Sequence, residues 1–159
     1  MRDRPEVLGR RLFLIRHGDA SDGPKDGDLG RHLTDLGQRQ VTALAQRIAS
    51  WQVDAILCSD KHRARETAAA IHQFHPDIPL IVDPILREVS RGRVTAYERG
   101  DPEEADLPDR LKAAWDLVLS TPYEIKVVVV HNGLIKYFLG RTINSEGVLK
   151  PRFHCTETG

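Results

Sequence analysis

The chain has 159 residues, 40% hydrophobic and 6% aromatic, with 23 Lys plus Arg set against 23 Asp plus Glu. That length suits a single domain over 1–159, and folding at this size removes roughly 70% of the unfolded chain's accessible surface, enough for a core without disulfide or metal staples. Zero formal net charge leaves no global field for nucleic acid or an anionic membrane, so neither is an expected partner.

Cys58 and Cys155 are the only cysteines, too few for a disulfide framework, which makes a reducing, cytoplasmic setting the expectation. Met1 to Arg11 mixes Arg with Asp3 and Glu6 and has no apolar signal-peptide core. No apolar stretch approaches about 20 residues, so no membrane span is expected.

In chain order, Leu12-Phe13-Leu14-Ile15 is a short apolar run of the kind buried on both faces of a sheet, and it stops abruptly at Arg16-His17-Gly18-Asp19. Ala20 to Gly30 reads as a loop. Thr34 can cap a helix that places Leu36, Val41, Leu44, Ala45 and Ile48 on one face and ends near Trp51. Ala55 to Cys58 is a second buried strand, followed by an Ala-rich helix from about Lys61 to Phe74.

Leu80-Ile81-Val82 is a third strand, closed by Asp83-Pro84. A polar stretch from Val89 to Pro108 is the natural place for a lid or substrate loop. The helix after it carries Leu111, Ala114, Trp115, Val118 and Leu119 on one side. Ile125 to Val130, broken only by Lys126, is the most strand-like run, and His131-Asn132-Gly133 follows it before a last helix. Strands alternating with helices imply an α/β fold, a three-layer α/β/α sandwich whose central sheet is mostly parallel and whose ligands gather beyond the strands' carboxyl ends.

Polar residues follow each strand. Arg16-His17-Gly18 comes after the first, Ser59 to Ala68 after the second, Leu86-Arg87-Glu88 after the third and His131-Asn132-Gly133 after the fourth. With Leu33-Thr34-Asp35-Leu36-Gly37, these reproduce in order R-H-G, L-T-x-x-G, S-x-x-x-R-A-x-x-T-A, L-x-E and a strand ending in H-x-G. The sequence therefore resembles the histidine phosphatase superfamily, with its phosphoglycerate-mutase-like fold, over roughly residues 11 to 159. The short chain is more similar to the phosphatase branches than to the mutases, which usually carry larger insertions.

The resemblance implies a metal-independent phosphatase acting on a phosphorylated small molecule or a phosphoprotein, with His17 as nucleophile and no cofactor. It implies a phosphate pocket of Arg16, Arg63 and His131, with Gly18 and Asn132 beside them, and Glu88 as general acid and base. The residue chemistry agrees. A neutral imidazole can attack phosphorus through one nitrogen while a hydrogen bond on the other fixes its aim. Guanidinium forks suit the charged oxygens of a phosphoryl group and repel a proton from His17. Gly18 lets the backbone approach a phosphate closely. An acidic to neutral pH optimum follows if Glu88 must be protonated.

Each residue also has an ordinary reading. Arg16 is a common ion-pair partner, His17 and His131 could be satisfied core imidazoles, and Glu88 could belong to an exposed charge pair. The alternative activities are a phosphoglycerate-type mutase and a catalytically silent phosphate-binding module. Ser59 and Asp60 are expected to cap the helix carrying Arg63, and Thr67 to pack or hydrogen-bond within it. His72 and His75 lack a third ligand at zinc-site spacing, so they read as a solvated helix end and no metal is expected.

Lys61, His62 and Arg65 flank Arg63 at helical spacing, either touching a substrate anion or forming an exposed face. Arg87, Arg91 and Arg93 either extend the positive field or are solvated, and the acidic run from Asp101 to Asp109 is expected to be solvated. Superfamily members commonly continue past Phe153 to Gly159 into another strand. Without that strand an open sheet edge favours pairing with a second copy as a homodimer.

Overall fold

The structure, a computed structural model, describes residues 10–21, 30–89 and 107–144. Arg91, Arg93, the 90–106 part of the insert, the segment 22–29 and everything from 145 onward, Cys155 included, lie outside the described residues.

Among the described residues, four strands form one sheet: β1 (Arg11–Arg16), β2 (Ala55–Cys58), β3 (Leu80–Val82) and β4 (Ile125–Val130). Their spatial order is β1-β4-β2-β3, and every pairing is parallel. The helices α1 (Asp35–Ile48), α2 (His62–His72), α3 (Leu107–Ser120) and α4 (Asn132–Asn144) alternate with them.

The period-two alternation of strand side chains divides the core into two halves. Val127, Val129, Ile56 and Cys58 face α1 and α2, meeting Leu44, Ala45, Ile48, Ala64, Ala68 and Ile71. Val128, Val130, Ala55 and Leu57 face α3 and α4, meeting Ala114, Val118, Leu134 and Phe138. All six residues of β4 are buried, which explains its continuous apolar sequence. Its one exception, Lys126, is only 3% exposed. Its ammonium donates to the carbonyls of Val118, in the last turn of α3, at 2.5 Å and of Thr121, just past that helix, at 3.1 Å, so the buried charge is hydrogen-bonded and set against the negative end of the helix dipole.

Thr34 caps α1 as its sequence context suggests, its hydroxyl accepting from the Gly37 N–H at 3.0 Å. The helix stops at Ile48 rather than at Trp51. Two residues expected on apolar faces are exposed: Leu36 at 48% and Leu119 at 37%. Leu36 lies in the first turn, and Gly37 there and Val41 one turn on hold the buried face instead. Leu119 sits one step past Val118, about 100° around the helix from the buried stripe.

The caps of α2 also differ from expectation. Its N-cap is Lys61, with no side-chain cap bond. Ser59, fully buried, accepts the Lys61 N–H at 3.3 Å in the turn ahead of the helix, while Asp60 is engaged elsewhere. His72 and His75 are not a solvated end. Their rings bond the carbonyls of Ile78 at 2.9 Å and Ile48 at 3.3 Å, tying the end of α2 to its surroundings.

Candidate active site

Parallel strands place their following loops at one edge of the sheet, so His17, Ser59, Glu88 and His131 all emerge there. β1 lies directly beside β4, which brings His17 and His131 together. Their ring centroids are 5.1 Å apart with planes at 61°. The His17 N–H continues the β1–β4 ladder by donating to the Val130 carbonyl at 3.2 Å.

His17 is 9% exposed and held at both ring nitrogens. Nδ1 lies 2.7 Å from the Gly18 carbonyl, and Nε2 accepts the Nε–H of Arg63 at 3.0 Å. A carbonyl can only accept, so Nδ1 carries the proton and Nε2 presents its lone pair. Burial is the main reason that the imidazolium is disfavoured, which lowers the His17 pKa to about 4. The charges of Arg63, Arg16 and Arg31 act in the same sense, and the Gly18 carbonyl opposes them. Charge repulsion operates as the sequence suggests, but desolvation is the larger cause, and Arg31 is an additional contributor.

The loop carrying His17 is fastened to two helices. The Gly18 N–H donates to Thr67 Oγ1 at 3.1 Å, and that hydroxyl donates at 2.7 Å to the carbonyl of Arg63, one turn earlier on α2. Asp19 receives the Thr34 N–H on its carbonyl at 3.0 Å and the Thr34 hydroxyl on its carboxylate at 2.5 Å, joining the loop to the α1 cap. A Cβ at Gly18 would lie 2.8 Å from Val41 Cγ1 and 3.0 Å from the Gly37 carbonyl, so packing on α1 alone requires glycine here.

His131 is fully buried, and among the described residues neither of its ring nitrogens has a hydrogen-bond partner. Burial, followed by the charges of Arg63 and nearby groups, holds its pKa well below the ordinary 6.5. Two uncompensated polar atoms in a buried ring are costly, and a ligand oxygen would satisfy one of them. Arg63 is 8% exposed, whereas Arg16 is exposed at the end of β1. Asn132 is exposed at the first position of α4.

Glu88 is tied to the start of α4, just after His131. Its Oε1 accepts the N–H groups of Val89 and Gly133, both at 2.9 Å, the second being an orphan donor in the first turn of α4. A Cβ on Gly133 would overlap the Val89 carbonyl and the Glu88 carboxylate.

Two arginines support this segment. Arg87 makes a two-pronged contact with Asp60, at 2.8 and 2.7 Å, and so is neither a solvated charge nor an unattached phosphate attractor. Burial raises the Asp60 pKa, but hydrogen bonding and charge from Arg87, with Lys61, outweigh it and leave the carboxyl below its usual value. Arg110 of α3 donates to the carbonyls of Arg87 and Glu88, each at 2.9 Å. Arg110 was not legible as a site residue, because it lies in an ordinary amphipathic helix far along the chain.

Residues 12–115 match the histidine phosphatase superfamily, branch 1, and the chain belongs to that superfamily. It is an enzyme of the histidine phosphatase type. It is 26% identical over 157 residues to a probable phosphatase of Schizosaccharomyces pombe, covering 86% of this chain and 75% of that one. It is 29% identical over 150 residues to the probable phosphoglycerate mutase GpmB of Yersinia enterocolitica, covering 77% and 69%. Among solved structures, a mycobacterial glucosyl-3-phosphoglycerate phosphatase shares the fold with a TM-score of 0.63 at 24% identity, over 84% of this chain and 80% of that one. Among the described residues, no helix is long and apolar enough to cross a membrane.

Proposed function

We propose that the chain is a single-domain cytoplasmic phosphatase, hydrolysing a phosphomonoester on a small metabolite or a phosphoprotein through a phosphohistidine at His17. The observation that carries this reading is the buried neutral His17, its Nε2 lone pair facing Arg63, beside a His131 whose ring nitrogens are unpartnered among the described residues.

In the first step the Nε2 lone pair of His17 forms an N–P bond as the P–O ester bond breaks. The departing oxygen takes a proton from Glu88. Glu88, now a carboxylate, takes a proton from water, whose oxygen attacks phosphorus while the N–P bond breaks and phosphate leaves. Arg16, Arg63 and His131 donate to the equatorial oxygens, Gly18 lets the backbone close on them, and Asn132 borders the pocket. Fixed donors of this kind contribute on the order of 3 kcal/mol each to transition-state stabilisation. Every proton and bond in this sequence is handled by a side chain or by water.

Hydrolysis of p-nitrophenyl phosphate with no added metal, lost in His17→Ala, is the expected result. A wild-type protein that hydrolyses nothing from mildly acidic to neutral pH would leave only a silent phosphate-binding module. The likeness to GpmB favours mutase activity as a second reading. Phosphoglycerate interconversion with little phosphate release would establish that reading, and stoichiometric release would exclude it. A panel of sugar phosphates, nucleotides, phosphoglycerates and phosphopeptides would assign the substrate class.

A further inference from the structure

We propose that His32, His62 and Glu66 form a divalent cation site of the zinc type, which clamps the segment ahead of α1 onto α2 beside the active site. One potential ligand atom from each of the three lies within 4.8 Å of the others. His62 and Glu66 are one turn apart on α2 and share a face. His32 reaches them from the other segment, its ring stacked on His62 with centroids 4.1 Å apart and planes at 21°, and its Nδ1 against Glu66 Oε1.

An ion pair between His32 and Glu66 accounts for one of these contacts but not for a second imidazole laid face to face on the first. Two imidazoles and a carboxylate are a ligand set suited to zinc, with water in the fourth position. Zinc–nitrogen distances of about 2.0–2.1 Å place tetrahedral ligand atoms about 3.3 Å apart, so the cluster must contract by up to about 1.5 Å. The side chains of His32 and Glu66 are 48% and 27% exposed, which leaves them room to do so.

The location gives such an ion a mechanical effect. Glu66 Oε2 already accepts the Leu33 N–H at 2.9 Å. Gly30, at φ 76°, lies so close to Arg63 that a Cβ there would be 3.3 Å from its Nη1. A cation on the three ligands would therefore fix residues 30–33 against the turn of α2 that holds Arg63.

Chelator-treated protein titrated with Zn²⁺ against a chromophoric competitor should bind one equivalent at micromolar zinc, and Co²⁺ should give the visible absorption of a tetrahedral site. At a hundredfold excess over Kd the melting temperature should rise by about 5–10 °C. His62→Ala and His32→Asn should each lose at least tenfold in zinc affinity, along with the thermal gain. The Asn variant can still hydrogen-bond Glu66, so its loss reports ligation rather than the ion pair, and its melting temperature in EDTA checks that it folds. His17→Ala should bind zinc normally, which separates this site from the proposed reaction. Unchanged zinc affinity in both ligand variants, or no saturable binding by the wild type at micromolar zinc, would overturn the proposal.

Discussion

The Nε–H of Arg63 donates to Nε2 of His17 across 3.0 Å, joining the first turn of α2 to the loop after β1. In the proposed reaction, the lone pair that would attack phosphorus is thus held by the guanidinium that would bind the phosphate. On that reading, an arriving phosphoryl oxygen would compete for the same N–H, and substrate binding would release the nucleophile. Lysine cannot reproduce this, because it lacks a planar fork able to share donors between a ring nitrogen and an oxyanion.

The acid limb of kcat/KM should be set by His17 near pH 4 rather than near 6.5, and a steady-state pH profile measures it. Stability carries the same signature. Because the folded pKa is lowered, protons bind the unfolded chain more readily between 6.5 and 4. His17 therefore contributes stability that is complete above 6.5 and is lost as pH falls through 4, on the order of 3 kcal/mol in all. Buried His131 acts in the same direction. Urea unfolding of His17→Gln should show a shallower loss between neutral and acidic pH than wild type. An equal slope would contradict this account.

Thr67→Val should lower both stability and turnover. It leaves the Gly18 N–H without an acceptor, at a cost of about 1–3 kcal/mol, and frees the loop that aims His17. Thr67→Ser keeps the hydroxyl and should restore most of kcat. Thermal melts together with kinetics on the two variants separate loss of the hydrogen bond from loss of the methyl group.

Two glycines of α4 should respond in opposite ways to alanine. Gly133→Ala drives a methyl into the Val89 carbonyl and the Glu88 carboxylate, so it should destabilise the protein and reduce kcat. Among the described residues nothing lies within 4 Å of a Cβ built on Gly140, and Gly140→Ala should stabilise by about 0.5–1 kcal/mol through helix propensity. Differential scanning calorimetry would show melting temperatures moving apart.

The Asp60–Arg87 pair should behave as a coupled positioning unit for Glu88. A double-mutant cycle of Asp60→Asn and Arg87→Met should give a coupling energy of about 1–3 kcal/mol, above that of an exposed pair, since the side chains are only 14% and 24% exposed. Both single variants should lower kcat more than they raise KM. A coupling near zero would return Arg87 to the status of a surface charge.

The strands and the residues after them were legible in the sequence because both are local. Apolar runs such as Ile56-Leu57 and Val127 to Val130 declare buried strands, and the R-H-G and H-x-G segments follow them directly. The roles of Thr67 and Thr34 were also within reach, since capping and i to i−4 bonding act inside one helix. Exposure of Leu36 and Leu119 was not, because a helical wheel identifies a face but not how wide a neighbour will cover it.

What the residue order settled is therefore the alternation of elements and the identity of the groups placed at the sheet's carboxyl edge. Backbone preferences and hydrophobic periodicity act over a few residues and need no distant partner. The pairing of Arg63 with His17, of Arg87 with Asp60 and of Arg110 with the carbonyl of Glu88 came only with folding. Those contacts span 46, 27 and 22 residues, and they exist because the β1-β4-β2-β3 order brings loops far apart in the chain to one edge. No local rule encodes which distant charge will meet which, so the aim of His17, and burial as the main reason that it stays neutral, became visible only in three dimensions.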